Sequence, residues 1–566
     1  MDSIPSTLIG QVPGSVVPHE ANGNDRLSIA SSPHHLLPEG AVHACLGLFF
    51  QRHFATDFCC FDIRVVFEGK CHQNESLAFA IVALCVRYLT LESVQDLFGQ
   101  PDPKYVERHY LRAARERFKL VSDEPSIINV QTGLVLALAE LLASNGLQYW
   151  MTTGIAIRMA QYMRLNKEYN EGVTVQMQEI RRRVFWSCWV FDRTSAYLLN
   201  KPRTLSLANV AIALPNTEAA LVHHEVTKGW TLDDFHKMNA RMSETGMTPY
   251  YLKAVSLWSD LADFSVCRRR LRDNLPPTEP RSAFYKLNGE LSQWYNALEP
   301  TISWSVPNFE MQRHLGQGSL FLATHLLSRS AVCVGHQCYL PHLDNYTVLS
   351  GSIDAAGWSY LHREESLIEA CISNALSVGE ILTWAVAAQV FQDHNDHLQR
   401  LWAAKSILSI VRSLLWIRHA TDPKVSETMQ GLAVKYLDVI SRLLSSWIGQ
   451  WKVAKQWLSI VEALSALCNA AYLGDIDESL LAPQAPNESP DEDASKQFYP
   501  RPGNGQRSTI NDPNLLSSLD LAGCDTTSKH RDLQSIWWQL TGGWPFRVSL
   551  EAYTDDDQTI DPSIFE

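Results

Sequence analysis

The sequence predicts an all-α fold: a large, irregular multi-helix body set between a disordered N-terminal linker and an acidic C-terminal tail. Three observations predict it. Apolar residues recur at helical spacing through most of the chain between residues 40 and 470. No alternation of the kind a strand requires runs for a useful length. Pro, Gly and Asn-Gly punctuation falls between the periodic windows.

Residues 1–38 read as linker, with Pro5, Pro13, Gly14, Pro18, Gly23 and Pro33 and few large apolar side chains to offset the entropy of ordering. Helical patterning begins in Val42–Phe61, through Leu46, Phe49, Phe50 and Phe54. Ser76 is the expected N-cap of a helix over Leu77–Leu89. Lys104–Val121 is charged and amphipathic, with Tyr105, Tyr110, Leu111, Ala114 and Phe118 on one face. Ser126 is expected to cap the next helix, whose Leu134, Leu138, Leu141 and Leu142 run on until Asn145-Gly146 ends it. Trp150–Leu165 follows as its hairpin partner. Beyond residue 215, helices are expected over Met247–Leu275, Phe284–Leu298, Leu315–Tyr339, Glu365–Gln392, His397–Arg418 and Ser426–Leu473. Pro276-Pro277, Pro300 and Pro341 close three of them. No fixed-period repeat appears, so a regular solenoid is not expected. The body therefore spans 39–470 and the tail 471–566.

The densest pattern lies between Glu179 and Pro215. Arg181, Arg182 and Arg183 lead into Val184, Phe185, Trp186, Cys188, Trp189, Val190 and Phe191, apolar over most of the helix circumference. Such a helix is buried on nearly all sides. Asp192 and Arg193 sit inside it, and a buried charge needs a partner. Arg183, Asp192 and Arg193 are thus candidates for a structural polar network, while the three-arginine cluster as a whole reads as a solvated face beside Glu179. Pro202 stops the helix, and Leu205, Val210, Ile212 and Leu214 close the segment.

Composition narrows the class. Of 566 residues 46% are hydrophobic, with 17 Trp, enough for a sizeable core. The first forty residues hold no apolar run like that of a secretory leader, and Leu77–Val86 and Ile381–Phe391 are shorter than the ~20 residues that cross a bilayer, so no membrane partner is expected. Twelve scattered Cys fit buried thiols in a reducing compartment. The net charge of −13 is uneven: residues 471–566 carry 17 Asp/Glu against 6 Lys/Arg, and neither part is basic enough for a broad nucleic-acid surface.

The central stretch also carries a resemblance. Arg181-Arg-Arg-Val-Phe-Trp, then Phe191-Asp-Arg, then Asn200-Lys-Pro-Arg and a closing Ala213-Leu-Pro resemble the fungal-specific transcription factor domain, the all-helical middle homology region of fungal zinc-cluster regulators. Upstream, Tyr110-Leu-Arg-Ala-Ala-Arg, Ser126-Ile-Ile-Asn-Val-Gln-Thr-Gly-Leu and Gln148-Tyr-Trp-Met-Thr-Thr-Gly-Ile-Ala-Ile-Arg-Met-Ala-Gln are similar to the same family in the same order, and residues 40–235 are the most family-like part. The resemblance implies a nuclear regulator of RNA polymerase II transcription, commonly dimeric, whose body modulates activity through small-molecule or inter-domain contacts. It also implies zinc, through a six-cysteine DNA-reading module. That module needs Cys pairs separated by two residues, and no two Cys here have this spacing. The expectation is that DNA is reached indirectly or through an N-terminal segment not in this sequence. The alternative is a co-regulator or scaffold that lacks a zinc cluster and pairs with a DNA-binding relative.

Other constellations read as structural. Cys333, His336, Cys338 and His342 do not share one helix face, and Pro341 breaks the frame. Asp393, His394, Asp396 and His397 fit a solvated loop. Arg268, Arg269, Arg270 and Arg272 form a basic run of the size seen on solvated helices or weak nuclear-import signals. Asp233-Asp234 is the one paired carboxylate in the body that could hold magnesium, and Lys237 stands where a further acid would be needed. No nucleophile elbow, phosphate loop or dinucleotide fingerprint occurs, so neither an enzyme nor a cofactor or metal site is expected. In the tail, Trp537, Trp538, Trp544, Phe546 and Phe565 lie among acids, the composition of an activation segment that contacts the transcription machinery.

Overall fold

The computed structural model describes residues 37–51, 69, 71–169, 172–199, 201–216, 229–237, 246–266, 273, 275–340, 365–391, 400–420 and 422–473. The fold is all-α as expected. Among the described residues the one extended pairing is an isolated bridge between Lys167 and Ala211.

The N-terminal half is built from α1 (Glu39–Phe49), α2 (Glu75–Cys85), α3 (Leu91–Phe98), α4 (Pro103–Leu120), α5 (Ile127–Leu142) and α6 (Gly146–Tyr162). Each start has a local cause. Asp102 accepts from the Lys104 amide ahead of Pro103, and Ser126 accepts from the Asn129 amide, as expected for that cap. The cap of α2 is Asn74, whose Oδ1 accepts from Leu77 at 2.9 Å, and not Ser76; the apolar run concealed two polar residues that already belong to the first turn. Between α5 and α6 the left-handed residue is Ser144 (φ 71°), while Asn145 and Gly146 begin α6. The hairpin is close because Gly133 lets Phe118 and Ala156 in: a Cβ there would lie 2.8 Å from the Phe118 ring. Arg115 forks onto the buried Glu140 with two 2.9 Å bonds, tying α4 to α5.

The central helix α7 (Val175–Leu199) runs 25 residues and is buried from Ile180 onward except at Arg181 and Arg182. It packs on α5 and α6 on one side. The C-terminal half follows as α8 (Leu232–Lys237), α9 (Thr248–Val266), α10 (Ala283–Asn296), α11 (Val306–His314), α12 (Gly318–His336), α13 (Glu365–Ala387), α14 (Arg400–His419), α15 (Glu427–Trp447) and α16 (Lys452–Leu473). Helix α9 packs on α7 and, more extensively, on α12; α12 then meets α13 and α14. Helix α16 returns to α5, and Trp451 donates to the Tyr88 hydroxyl at 3.1 Å, so the two halves are joined away from α7 as well.

Three expectations need correction. The described part of α9 ends at Val266, and Leu275–Arg281 turns instead of continuing a helix to Leu275. The run Ser426–Leu473 is two helices: the backbone turns at Ile448–Trp451, where Trp451 packs tilted against Trp447 and edge to face against Trp457, an apolar corner that periodicity cannot distinguish from helix. Ser366–Ala387, at 22 residues and mean hydropathy 1.3, is long and apolar enough to cross a membrane. In this fold it is a core helix: Gly379 admits Tyr436 of α15 so closely that a Cβ would lie 2.2 Å from the ring, and Trp384 packs on Trp304 and Phe309.

Candidate functional site

The polar side chains of α7 fall into three networks, one per stretch of the helix. At its N-terminal end the buried Glu179 accepts from Arg183 Nε and the Asn216 amide, both at 2.9 Å, and from Asn216 Nδ2 at 3.1 Å. Arg183 also donates to the Asn216 carbonyl at 3.0 Å. Arg182 reaches Glu168 at 2.7 Å, and Glu168 in turn accepts from the Ala213 amide and from Gln178. Trp186 donates to the Ala213 carbonyl at 2.8 Å. The Ala213-Leu-Pro closing motif is thereby laced along the helix. Arg181 lies over the Tyr169 ring, 4.5 Å from its centroid, and donates to the Met163 carbonyl. The arginine cluster is therefore engaged with the fold and is not a solvated face: its acids come from the 163–169 loop and from one turn earlier, which adjacent-residue reading does not reveal.

In the middle stretch Asp192 accepts from the Thr204 and Leu205 amides at 2.9 Å each and from Arg193 at 2.7 Å. Arg193 stacks on Trp189, 4.2 Å from the centroid. Burial lowers Arg193 to about 10, and Asp192 holds it up against that pull. Arg203, the last residue of the Asn-Lys-Pro-Arg motif, clamps Asp260 and Asp263 of α9 at 2.6 and 2.9 Å. One carboxylate thus fixes the return of the chain after Pro202, and the motif's arginine fastens that loop to the next helix.

At the C-terminal end Thr194 accepts from the buried Lys405 of α14 at 2.6 Å. The Tyr197 hydroxyl is 2.6 Å from Ser409 Oγ, and its ring packs on Trp258 with centroids 4.3 Å apart. Gln337 donates to the Ser409 carbonyl and to Ser413 Oγ, and Ser413 lies 3.3 Å from Cys371 Sγ. A buried polar line therefore runs from α7 through α14 to α12 and α13. Lys405 and the serines of α14 had no signal beyond their places in an apolar helix.

Of the candidates for a polar network, Asp192 and Arg193 meet directly, while Arg183 belongs to the separate Glu179 group. Asp234 accepts from Thr231 in the turn that starts α8, a capping geometry. His336 is buried, held near 4 by that burial, with Nδ1 on the Val332 carbonyl. Among the described residues no three His, Cys, Asp or Glu side chains converge as metal ligands. A cleft of about 410 Å³ opens between α13 and α15, lined by Val386, Phe391, Val439, Leu443 and Trp447 with Arg442 and Ser446 at its polar side; none of these residues belongs to α5, α6 or α7. Arg268–Arg272 and the tail aromatics Trp537, Trp538, Trp544, Phe546 and Phe565 lie outside the described residues.

Comparison with known proteins places this arrangement. Residues 66–296 match the fungal specific transcription factor domain. The chain is 27% identical over 229 residues to an uncharacterized transcriptional regulatory protein of Schizosaccharomyces pombe, covering 36% of this chain and 33% of that one. It is 24% identical over 221 residues to the Zn(2)-C6 fungal-type transcription factor FTF1c of Fusarium oxysporum f. sp. lycopersici, covering 36% and 24%. It is 32% identical over 117 residues to the TY1 enhancer activator of Saccharomyces cerevisiae, covering 19% and 15%. The matches span a third or less of these relatives' own length. Residues 66–296 thus carry a fungal specific transcription factor domain, and the relatives they resemble are fungal transcriptional regulators.

Proposed function

We propose that this chain regulates RNA polymerase II transcription in the nucleus, with the helical body acting as a regulatory domain that works by binding and conformational change. The observation that carries the reading is the match over residues 66–296, within which the motif residues Arg183, Asp192 and Arg203 each tie a separate segment to the central helix or its neighbour. In this reading DNA is reached indirectly or through an N-terminal module, and zinc would enter only with that module. The chain works as a dimer, a small-molecule effector acts on the body, and the acidic tail with Trp537, Trp538, Trp544, Phe546 and Phe565 contacts the transcription machinery. The buried polar line from Thr194 to Cys371 supports a body that moves as connected helices, because displacing α7 would break the bonds between Thr194 and Lys405 and between Tyr197 and Ser409.

The test is to tether the full chain to a heterologous DNA-binding domain upstream of a reporter in a fungal host. Transcription is expected to change several-fold relative to the DNA-binding domain alone, and replacing the five tail aromatics with Ala is expected to reduce an activating effect. No change in reporter output in either direction would contradict the proposal.

A further inference from the structure

Two buried thiols meet where α12 packs on α13. Cys333 and Cys371 are 0% and 1% exposed, stand 38 positions apart in sequence, and are both free. Cys333 Sγ donates to the Cys371 carbonyl at 3.8 Å, and the two thiols are in hydrogen-bond contact with each other. Their surroundings differ. Cys371 Sγ lies 3.3 Å from Ser413 Oγ of α14, and Ser413 accepts from Gln337 at 3.0 Å, which leaves its own proton for the sulfur. The Cys333 thiol, and then Ser413 and the Arg412 charge, pull Cys371 below the usual thiol value against its burial. Burial and Cys371 push Cys333 up. A thiolate is the attacking form of cysteine, so a pair with one favoured thiolate and one protonated neighbour has the arrangement of a nucleophile with its resolving thiol. Cys45 shows the contrast: burial, with Cys71 beside it, holds that thiol up at about 12.

We propose that Cys333 and Cys371 form a peroxide-responsive dithiol, which closes to a disulfide between α12 and α13. In the first step the Cys371 sulfur attacks one oxygen of hydrogen peroxide. The O–O bond breaks, the sulfur becomes a sulfenic acid, and the second oxygen leaves as water with the thiol's proton. The Cys333 sulfur then attacks the sulfenic sulfur. The S–S bond forms, the S–O bond breaks, and the hydroxyl leaves as water with the Cys333 proton. The two thiols together give up two electrons, and the peroxide is reduced to two waters. Both residues stand within two turns of a helix end, Cys333 before α12 closes at His336 and Cys371 after α13 opens at Glu365. Helix ends fray, which admits a molecule little larger than water while excluding bulkier oxidants. The closed form ties two helices together and takes the Cys371 thiol from Ser413, so the polar line that starts at α7 loses its last link. A disulfide of this kind is transient and suits a compartment that otherwise keeps thiols reduced. This inference stands on the geometry of the thiol pair and does not depend on the transcriptional reading.

The test treats the reduced, folded full chain with a small excess of hydrogen peroxide. Denaturant and N-ethylmaleimide then block every remaining thiol, and the unreduced peptides are mapped by tandem mass spectrometry. A link between Cys333 and Cys371 is expected in most molecules, ahead of oxidation at any other cysteine, and dithiothreitol is expected to remove it. Cys333→Ser keeps a hydrogen-bond donor beside Cys371 and cannot resolve a sulfenic acid. Dimedone added with the denaturant is therefore expected to label Cys371 in this variant, while Cys371→Ser leaves Cys333 unlabelled. Circular dichroism checks that both variants are folded, and the wild-type measurement stands without them. A folded wild-type chain whose Cys333 and Cys371 both stay open to alkylation after peroxide overturns the proposal. So does a link that joins other cysteines first, such as Cys45 and Cys71, or labelling at Cys333 in place of Cys371.

Discussion

Asp192 holds the chain's return after the central helix, because it accepts from the Thr204 and Leu205 amides and from Arg193, whose charge Asp260 also helps to offset. Asp192→Ala leaves a buried guanidinium and two amides without their acceptor, so unfolding by denaturant is expected to show a loss of about 3–5 kcal/mol, the usual cost of breaking one partner out of a buried pair. The adjacent pair was legible in the sequence as a charge in an apolar helix. Its real partners, twelve and thirteen residues on, were not, since no local pattern announces which backbone returns to a helix. His325 gives a second prediction. Burial holds its imidazole at about 3, with Nε2 on the Ile302 carbonyl and Nδ1 beside the Tyr295 hydroxyl. An unfolded histidine titrates near 6.5. Between pH 6.5 and 3 the unfolded chain therefore binds a proton that the folded chain refuses, and stability falls as pH drops through this window. His336, held near 4, acts in the same direction. Denaturant midpoints should decline from pH 7 to pH 5, and His325→Gln should flatten that decline even though it lowers stability at pH 7.

At the scale of elements, helix existence was readable because apolar spacing reports burial directly, and most long helices lie where the spacing put them. Their ends were less readable. Ser426–Leu473 stays apolar through the turn at Ile448–Trp451, since the corner itself is built from tryptophans. The solvated reading of Arg181–Arg183 failed for a related reason: Glu168 lies across a loop, and an ion pair of that kind is a tertiary fact. Where α13 and α15 cross, contact depends on the missing side chain of Gly379. Gly379→Ala is expected to push Tyr436 aside and cost about 1–3 kcal/mol, although alanine is the better helix former. A stabilised variant in thermal unfolding would contradict that packing.

Across the whole molecule, the central helix is where the two halves meet, and the family motif is largely the set of residues that hold it there. Arg183, Asp192 and Arg203 serve three different segments, so a shift of α7 is felt at α9, at α14 and in the loop after Pro202. Arg203→Ala releases the clamp on Asp260 and Asp263, and protease cleavage within 200–216 is expected to quicken relative to wild type while the remaining helices stay protected. On the proposed reading such a body transmits binding as helix movement, and its function lies in what it brings to a promoter. The most direct measurement is genome-wide chromatin occupancy of the tagged full chain in the organism that encodes it. The account predicts discrete enrichment at promoters of RNA polymerase II genes whose transcription changes when the gene is deleted. Uniform background occupancy, with no expression change at any bound locus, would contradict it.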